Sequence, residues 1–292
     1  MAQNKQGLTN IQATAIVIVS MIGLAVLSIP SIVAEPAGID GLLSVFAGGI
    51  VSLLLAGVII VLSSRFPNHT IIEYMQIILG KTLGKLFGCI IALYTLVVAA
   101  VILRGFADAM KVLLLPKTPL EFMMIAMLVT VIYQIQGGVS TIAKISEVFI
   151  LPIIGVIVVL IVFSLPKVEM FRFRAILSSG LKPIILGTTS IIYAYLGYGI
   201  LAFLLPFMKD KNKLLKYGSI GVLVPTLIYT GLVFVSIGIS GPKSVADLVY
   251  PTVQLARGIM ANGTFIERFD IFFIIFWILA VFTSLTIYMY MN

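Results

Sequence analysis

The chain has little charge. Only 10% of its 292 residues are Asp, Glu, Lys or Arg, against roughly 25% in ordinary soluble domains. Hydrophobic residues make up 61%, and the mean hydropathy is +1.19. A water-soluble surface cannot be built from so few charged side chains, so the sequence predicts an integral membrane protein.

Cysteine and histidine are nearly absent, with one residue of each, Cys89 and His69. A single cysteine excludes an intramolecular disulfide, and neither residue has partners for a zinc site. No G-x-S-x-G, H-E-x-x-H or Walker motif occurs, so we expect no enzyme activity, no metal and no cofactor. The Lys and Arg residues are scattered between apolar segments, which argues against nucleic-acid binding and for loops that flank a lipid bilayer.

Eight continuous apolar stretches reach or approach the roughly 20 residues that a helix needs to cross a bilayer. We therefore predict an all-α integral membrane protein, an eight-span helical bundle that forms a single transmembrane domain over residues 1–292. The stretches lie at about 10–34, 41–63, 86–108, 120–138, 146–165, 183–208, 215–240 and 268–290.

Two connections are longer than turns. Residues 67–85 alternate polar and apolar side chains at helical spacing, which predicts a short interfacial helix. Residues 242–267 predict a short surface or re-entrant helix that begins at Pro251 and ends at Gly258.

Charge does not fix the orientation. With the N-terminus inside, nine Lys or Arg residues lie on each side of the membrane and Arg104 lies within a span. The basic cluster at residues 209–216 favours the N-terminus inside.

The first and sixth spans share a pattern. Gly23 and Pro30 in the first span are seven residues apart, as are Gly199 and Pro206 in the sixth, at an offset of 176 residues. The same offset carries the second span onto the seventh and the third to within several residues of the eighth. Chance is the alternative, because Gly and Pro are common in membrane helices.

Five spans separate the copies, and an odd number inverts the second copy in the membrane. Inverted repeats with interrupted first helices are typical of secondary transporters, whose binding sites lie at the breaks. We predict a first repeat over 10–165, an incomplete second repeat over 183–292, and breaks near 22–28 and 196–204 that lie side by side. A complete second copy would need two further spans at about 296–341, and both a naturally shortened homologue and a truncated product stay open.

Several segments in a fixed order carry a family resemblance. They are Leu27-Ser28-Ile29-Pro30, residues 66–81, residues 147–152, Tyr250 to Arg257, residues 267–270 and Trp277. On these segments the chain resembles the B-subunit family of spore germinant receptors, the endospore germination permeases of the amino acid–polyamine–organocation transporter superfamily. The family usually has ten spans, so this chain lacks the last two.

The resemblance implies a multi-pass protein of the inner membrane of a bacterial spore. It would sense small germinants such as amino acids, beside an A subunit with a soluble domain and a lipoprotein C subunit.

A broken helix exposes N–H groups at one half and C=O groups at the other, which suits the carboxylate and ammonium of an amino acid. The expected ligand-binding residues at the breaks are Ile22, Gly23, Leu24, Ala25, Val26, Tyr195, Leu196, Gly197, Tyr198, Gly199 and Leu201. Apolar side chains among them favour a small aliphatic ligand. The alternative is that the glycines permit close helix packing and the tyrosines form an interfacial belt.

The third span offers Tyr94 and Val98, one turn apart, to complete the pocket, although Val98 also suits core packing. In the eighth span, Thr283 and Ser284 supply adjacent hydroxyls. In transporters of the superfamily such a pair can help to hold Na⁺ against carbonyls of the broken first helix. The alternative is that each hydroxyl bonds back to its own helix.

Three charged residues lie near or within spans. Arg104 and Asp108 are four residues apart on the third span, and either pair with each other or line a polar pathway. Glu147 is expected at the entry of the fifth span, as a helix-start carboxylate or as an intramembrane contact.

Three functions remain open. The leading interpretation is a germinant-sensing, transporter-like subunit, and the second is an amino-acid permease with alternating access. The third is an assembly subunit with a vestigial site. Fold alone cannot separate them.

Overall fold

The protein is all-helical. A computed structural model describes residues 7–178, 180–259 and 268–292, and within these ranges it contains twelve α-helices joined by turns and short 3₁₀ segments. The helices are α1 (Asn10–Ile22), α2 (Ile29–Ala37), α3 (Gly41–Ser64), α4 (Ile71–Leu113), α5 (Leu120–Ile135), α6 (Gly138–Ser164), α7 (Leu181–Tyr195), α8 (Leu201–Leu204), α9 (Leu214–Ser240), α10 (Pro242–Ala246), α11 (Pro251–Ile259) and α12 (Phe269–Tyr290). The predicted all-α class is confirmed.

Six helical segments within the described residues are long and apolar enough to cross a bilayer. They are Ile29–Ser64, Ile71–Leu113, Gly138–Lys167, Leu181–Phe207, Lys211–Ser240 and Phe269–Tyr290. Two further apolar helices, α1 and α5, are shorter, at 13 and 16 residues. The chain is therefore a helical membrane protein, and the count of eight spans stays a prediction.

The predicted interfacial helix is continuous with the third span. It begins at Ile71, where Thr70 and Glu73 form a capping box, and α4 runs on for 43 residues to Leu113. The predicted short helix is present, but it ends at a kink at Gly80 (φ 81°, ψ 167°), five residues before residue 85, and the helix of the third span follows the kink directly. Only glycine adopts this conformation readily, so the bend is encoded at that residue.

The fifth span also starts earlier than expected. Helix α6 begins at Gly138 rather than at residue 146, so Glu147 lies inside the helix and not at its entry. Hydropathy identifies only the part of a helix at membrane depth, and Ser140, Thr141 and Lys144 extend α6 beyond it as polar turns.

The short helix after α9 begins at Pro251, as expected, and runs to Ile259, one residue beyond the predicted Gly258. The remainder of the predicted segment, residues 260–267, lies outside the described residues.

Contacts at the start of α1 define one end of the bundle. Gln12 Nε2 donates to Glu147 Oε2 at 2.8 Å near the start of α6, and Thr14 Oγ1 donates to the Tyr217 carbonyl at 3.0 Å near the start of α9. At the other end of α1, Tyr229 of α9 bonds to the Met21 carbonyl, and Ile157 of α6 lines a small cavity together with Ile22. Helices α6 and α9 therefore run in the same direction as α1 and end at the opposite end of the bundle. Helix α1 is buried from Ala13 to Ile22, as expected for a helix enclosed by others.

Gly80→Ala should destabilise the protein, because a Cβ at this backbone conformation costs about 1–3 kcal/mol. Gly155→Ala is the matched control, since Gly155 lies inside α6 and a Cβ there would meet nothing within 4 Å. Apparent melting temperatures in detergent would check the pair. Equal temperatures for both variants would mean that the bend does not depend on glycine.

Candidate ligand-binding site at two interrupted helices

The first membrane helix is interrupted. Helix α1 ends at Ile22 and α2 begins at Ile29, with a 3₁₀ turn at Ala25–Leu27 between them. We refer to residues 23–28 as the first interruption. In lipid, backbone groups freed by such a break need partners from elsewhere in the protein.

Side chains of α9, α11 and α12 supply those partners to the carbonyls. Tyr229 OH donates to the Met21 carbonyl, Trp277 Nε1 to Gly23 (3.1 Å), Thr252 Oγ1 to Val26 (2.7 Å), and Ser284 Oγ to Val19 (2.7 Å). All four donor side chains are buried. The Val19 carbonyl also accepts from the Gly23 N–H, so it keeps a partner without Ser284. A buried carbonyl left without any partner would cost about 1–3 kcal/mol, so the other three donors help to hold the interrupted conformation.

Unlike the carbonyls, the amino-terminal ends of the helical segments in the first interruption have no side-chain partners. Neither the 3₁₀ turn, preceded by Leu24, nor α2, preceded by Ser28, has a side-chain hydrogen bond that caps it. The first N–H groups of a helix have no partner within that helix and carry the positive end of its dipole. The Gly23 and Val26 carbonyls are thus bonded to protein side chains, whereas these amino-terminal ends have no side-chain partner.

The sixth predicted span changes from α-helix to 3₁₀-helix within one continuous helical segment, Leu181–Phe207. Helix α7 ends at Tyr195, a 3₁₀ segment follows at Leu196–Ile200, and α8 begins at Leu201. We refer to Leu196–Ile200 as the second interruption, and it lies within the predicted range 196–204. This segment and α8 also lack side-chain caps.

The second interruption approaches the last turn of α1 at Gly197. A Cβ atom on Gly197 would lie 2.6 Å from Ser20 Oγ and 3.0 Å from the Met21 amide nitrogen. Glycine is therefore needed there for the approach to α1. Around Gly199, by contrast, a Cβ would meet nothing within 4 Å, so the second interruption borders open space at this residue.

The predicted tyrosines separate into two groups. Tyr195 is fully buried, donates to the Val45 carbonyl at 2.9 Å and packs edge-on against Tyr229, so its hydroxyl is directed toward α3. Tyr198 is also buried, but within the described residues its hydroxyl has no hydrogen bond. Tyr94 of α4 is 42% exposed.

Apolar side chains complete the surroundings. Leu24 packs so closely on α4 that a Cβ on Gly105 would lie 2.4 Å from it. Val98 is half-buried against the core, as its core-packing interpretation expects. A cavity of about 10 Å³ lies beside Ile22, Val26 and Trp277, which leaves room for at most one water molecule. The first interruption is thus tightly packed on this side.

The two hydroxyls of α12 differ. Thr283 Oγ1 bonds back to the Leu279 carbonyl of its own helix at 2.8 Å, which is the alternative stated for it. Ser284 Oγ contacts both its own helix, at the Ala280 carbonyl, and the Val19 carbonyl of α1.

The charged candidates form side-chain contacts. Arg104 Nε and Asp108 Oδ2 are 2.9 Å apart on the exposed face of α4, and such an exposed pair contributes little stability. Glu147 accepts its hydrogen bond from Gln12, so it joins α6 to the start of α1.

Sequence reasoning missed Tyr229, Thr252 and Trp277 as partners of the broken helix. Trp277 is the only tryptophan in the chain, and a tryptophan in a span must find an acceptor for its N–H when buried. That signal indicates that an acceptor exists, but it does not identify the Gly23 carbonyl.

A model of the family described as "Spore germination protein" matches residues 7–292. The chain belongs to this family. Spore germination protein A2 of Bacillus subtilis (strain 168) is 29% identical over 97% of this chain and 78% of its own length. Spore germination proteins YndE and B2 of the same strain are 30% and 26% identical, over 97% and 95% of this chain and 78% and 75% of their own lengths.

Family membership confirms the role in spore germination that the resemblance implied. The chain is a multi-pass membrane protein of bacterial spores, and it acts in spore germination as a permease-like germinant receptor subunit.

Thr252→Val should destabilise this spore germination protein by about 1–3 kcal/mol, because it leaves the buried Val26 carbonyl without its donor. Thr189→Val is the matched control, since Thr189 is exposed on α7 and bonds only to its own helix. Thermal unfolding in detergent would compare them. A Thr252→Val variant as stable as the control would mean that the side-chain donor does not hold the first interruption.

Gly197→Ala should be destabilising, whereas Gly199→Ala should be tolerated, because only the first Cβ meets α1. The yield of folded protein by size-exclusion chromatography and its melting temperature would check the pair. Equal behaviour would contradict the close approach of the second interruption to α1.

Proposed function

We propose that the germinant of this subunit is a small amino acid that binds between the two interruptions. The observation that carries the proposal is the asymmetry of the first interruption. Its Gly23 and Val26 carbonyls are bonded to protein side chains, and its amino-terminal ends have no side-chain cap.

The carboxylate of the ligand would take the N–H groups near Leu24 to Val26, where the dipole of α2 adds favourable charge. The ammonium would take carbonyls of the second interruption. Tyr198 would offer its free hydroxyl, and Leu24 and Leu201 would surround a short aliphatic side chain. These roles agree with the open space at Gly199 and the contact at Gly197.

Binding would change the balance between conformations. A ligand favours whichever arrangement it binds more tightly, so a ligand that joins the two interruptions stabilises the arrangement in which both face it. In the proposed arrangement, the five-plus-five inverted-repeat fold supplies the two broken helices. A-type and C-type subunits in the inner spore membrane would receive the signal.

Ser284 is the residue that we propose for ion coupling. Its hydroxyl contacts carbonyls of both α12 and α1. A cation bound at this position would contact both helices. Thr283 would take part only after releasing the bond to its own helix.

An amino-acid permease is the second candidate, because the broken helices are typical of transporters. Uptake of labelled amino acids into proteoliposomes separates the two functions. Concentrative uptake would support the permease, and binding without turnover would support the sensor. Neither binding nor uptake would favour an assembly role.

Gly199→Leu should abolish the response to the germinant while the protein stays folded, because the side chain would fill the open space without meeting the protein. Gly155→Leu is the control, since a Cβ there also meets nothing within 4 Å but lies on α6. Membrane immunoblots beside a dose–response of germination in spores would check both. A normal protein level with an unchanged dose–response for Gly199→Leu would place the ligand elsewhere.

A further inference from the structure

A second cavity lies at the end of the bundle opposite the start of α1. It has a volume of about 190 Å³ and is enclosed by the last turns of α6 and α9 and by α11. Its polar lining includes Ser164, Lys167, Ser236, Ser240 and Gln254. None of the ligand-binding residues predicted at the interruptions lines it.

Ser236 is the first sign that this cavity holds something. The side chain is 1% exposed, and within the described residues its Oγ has no hydrogen-bond partner. Native proteins leave few buried polar atoms unbonded, because each costs about 1–3 kcal/mol. An occupant of the adjoining cavity would supply the missing partner.

Lys167 gives the cavity a positive charge. Its Nζ donates to the Gly258 carbonyl at 2.6 Å, which uses one of the three donors of an ammonium. Across residues 7–178, 180–259 and 268–292, no acidic side chain lies within 4 Å of Lys167, and the nearby Glu169 is paired with Arg172. The local charge therefore favours an anion.

Size and lining narrow the class of anion. The cavity is smaller than the roughly 300–1,000 Å³ of sites for drug-sized ligands, yet larger than the roughly 30 Å³ that one water molecule occupies. Ile239, Val245 and Leu255 form an apolar wall opposite the polar groups. A single cation, several hydroxyls and an apolar wall suit a carboxylate on a short hydrocarbon chain.

We propose that this cavity is a binding site for a small organic monocarboxylate, separate from the two interruptions. Its carboxylate contacts Lys167 and the Ser236 hydroxyl, and its hydrocarbon part lies against the apolar wall.

Helix α11 would connect the new site to the first interruption. Gln254 and Leu255 of α11 line the cavity, and Thr252 of the same helix bonds to the Val26 carbonyl. A carboxylate held between α6, α9 and α11 would therefore stabilise the position of the helix that caps the interruption.

The test uses the purified full chain in nanodiscs and propionate as the probe, with binding followed by saturation-transfer NMR. Lys167→Gln should weaken propionate binding by about tenfold or more, as expected for the loss of one charge-assisted hydrogen bond. Ser236→Ala should weaken propionate binding to a smaller extent. This variant tests the site even if the Lys167→Gln protein does not accumulate. Lys243→Gln is the matched control, because Lys243 lies in α10 at the same end without lining the cavity.

Binding to the Gly199→Leu variant and competition by other anions separate this proposal from its alternatives. Propionate binding that persists in Gly199→Leu and is lost in Lys167→Gln supports a site separate from the interruptions, whether or not amino acids bind there. Loss in Gly199→Leu with retention in Lys167→Gln places the carboxylate at the interruptions and overturns the proposal. Displacement by chloride or inorganic phosphate as efficiently as by acetate would overturn the carboxylate assignment, and so would the absence of propionate binding to the unmodified chain.

Discussion

The bonding of backbone carbonyls at the first interruption is the constraint on which the rest of the bundle depends. A helix in lipid satisfies its own backbone, and one that stops at mid-span does not. Here side-chain donors come from Tyr229, Thr252 and Trp277, on three different helices. Ser284 adds a contact to the Val19 carbonyl, which also accepts from the Gly23 N–H. The positions of α9, α11 and α12 around α1 follow from that requirement.

The same constraint explains why the carbonyl groups and the amino-terminal ends at the first interruption differ in their partners. Donors from the protein serve the carbonyls, and the amino-terminal ends of the turn and of α2 are left without side-chain caps. In the proposed function, the carboxylate of the ligand would take the place of such a cap. Glycine serves a different purpose at each interruption. Gly197 lets the second interruption approach Met21, whereas Gly199 borders open space.

The sequence predicted features that depend on local chemistry. Glycine and proline spacing located both interruptions, and Pro251 marked the start of α11, because these residues limit the backbone by themselves. The predicted start of α6 was wrong because helical turns that extend beyond the membrane are polar and give no hydropathy signal. The Tyr195–Val45 bond and the Trp277–Gly23 bond join residues far apart in sequence. The spacing of residues along the chain does not identify such partners, because tertiary packing determines which residues meet.

The central claim is that an amino acid binds between the two interruptions of a spore germination protein. The most direct measurement is an experimental structure of the chain in nanodiscs, determined with and without a saturating amino-acid germinant. The account predicts that α1 ends near Ile22 in both states and that ligand density contacts the backbone at residues 23–26 and 196–199. A helix that continues unbroken from α1 into α2, or ligand density away from both interruptions, would contradict it.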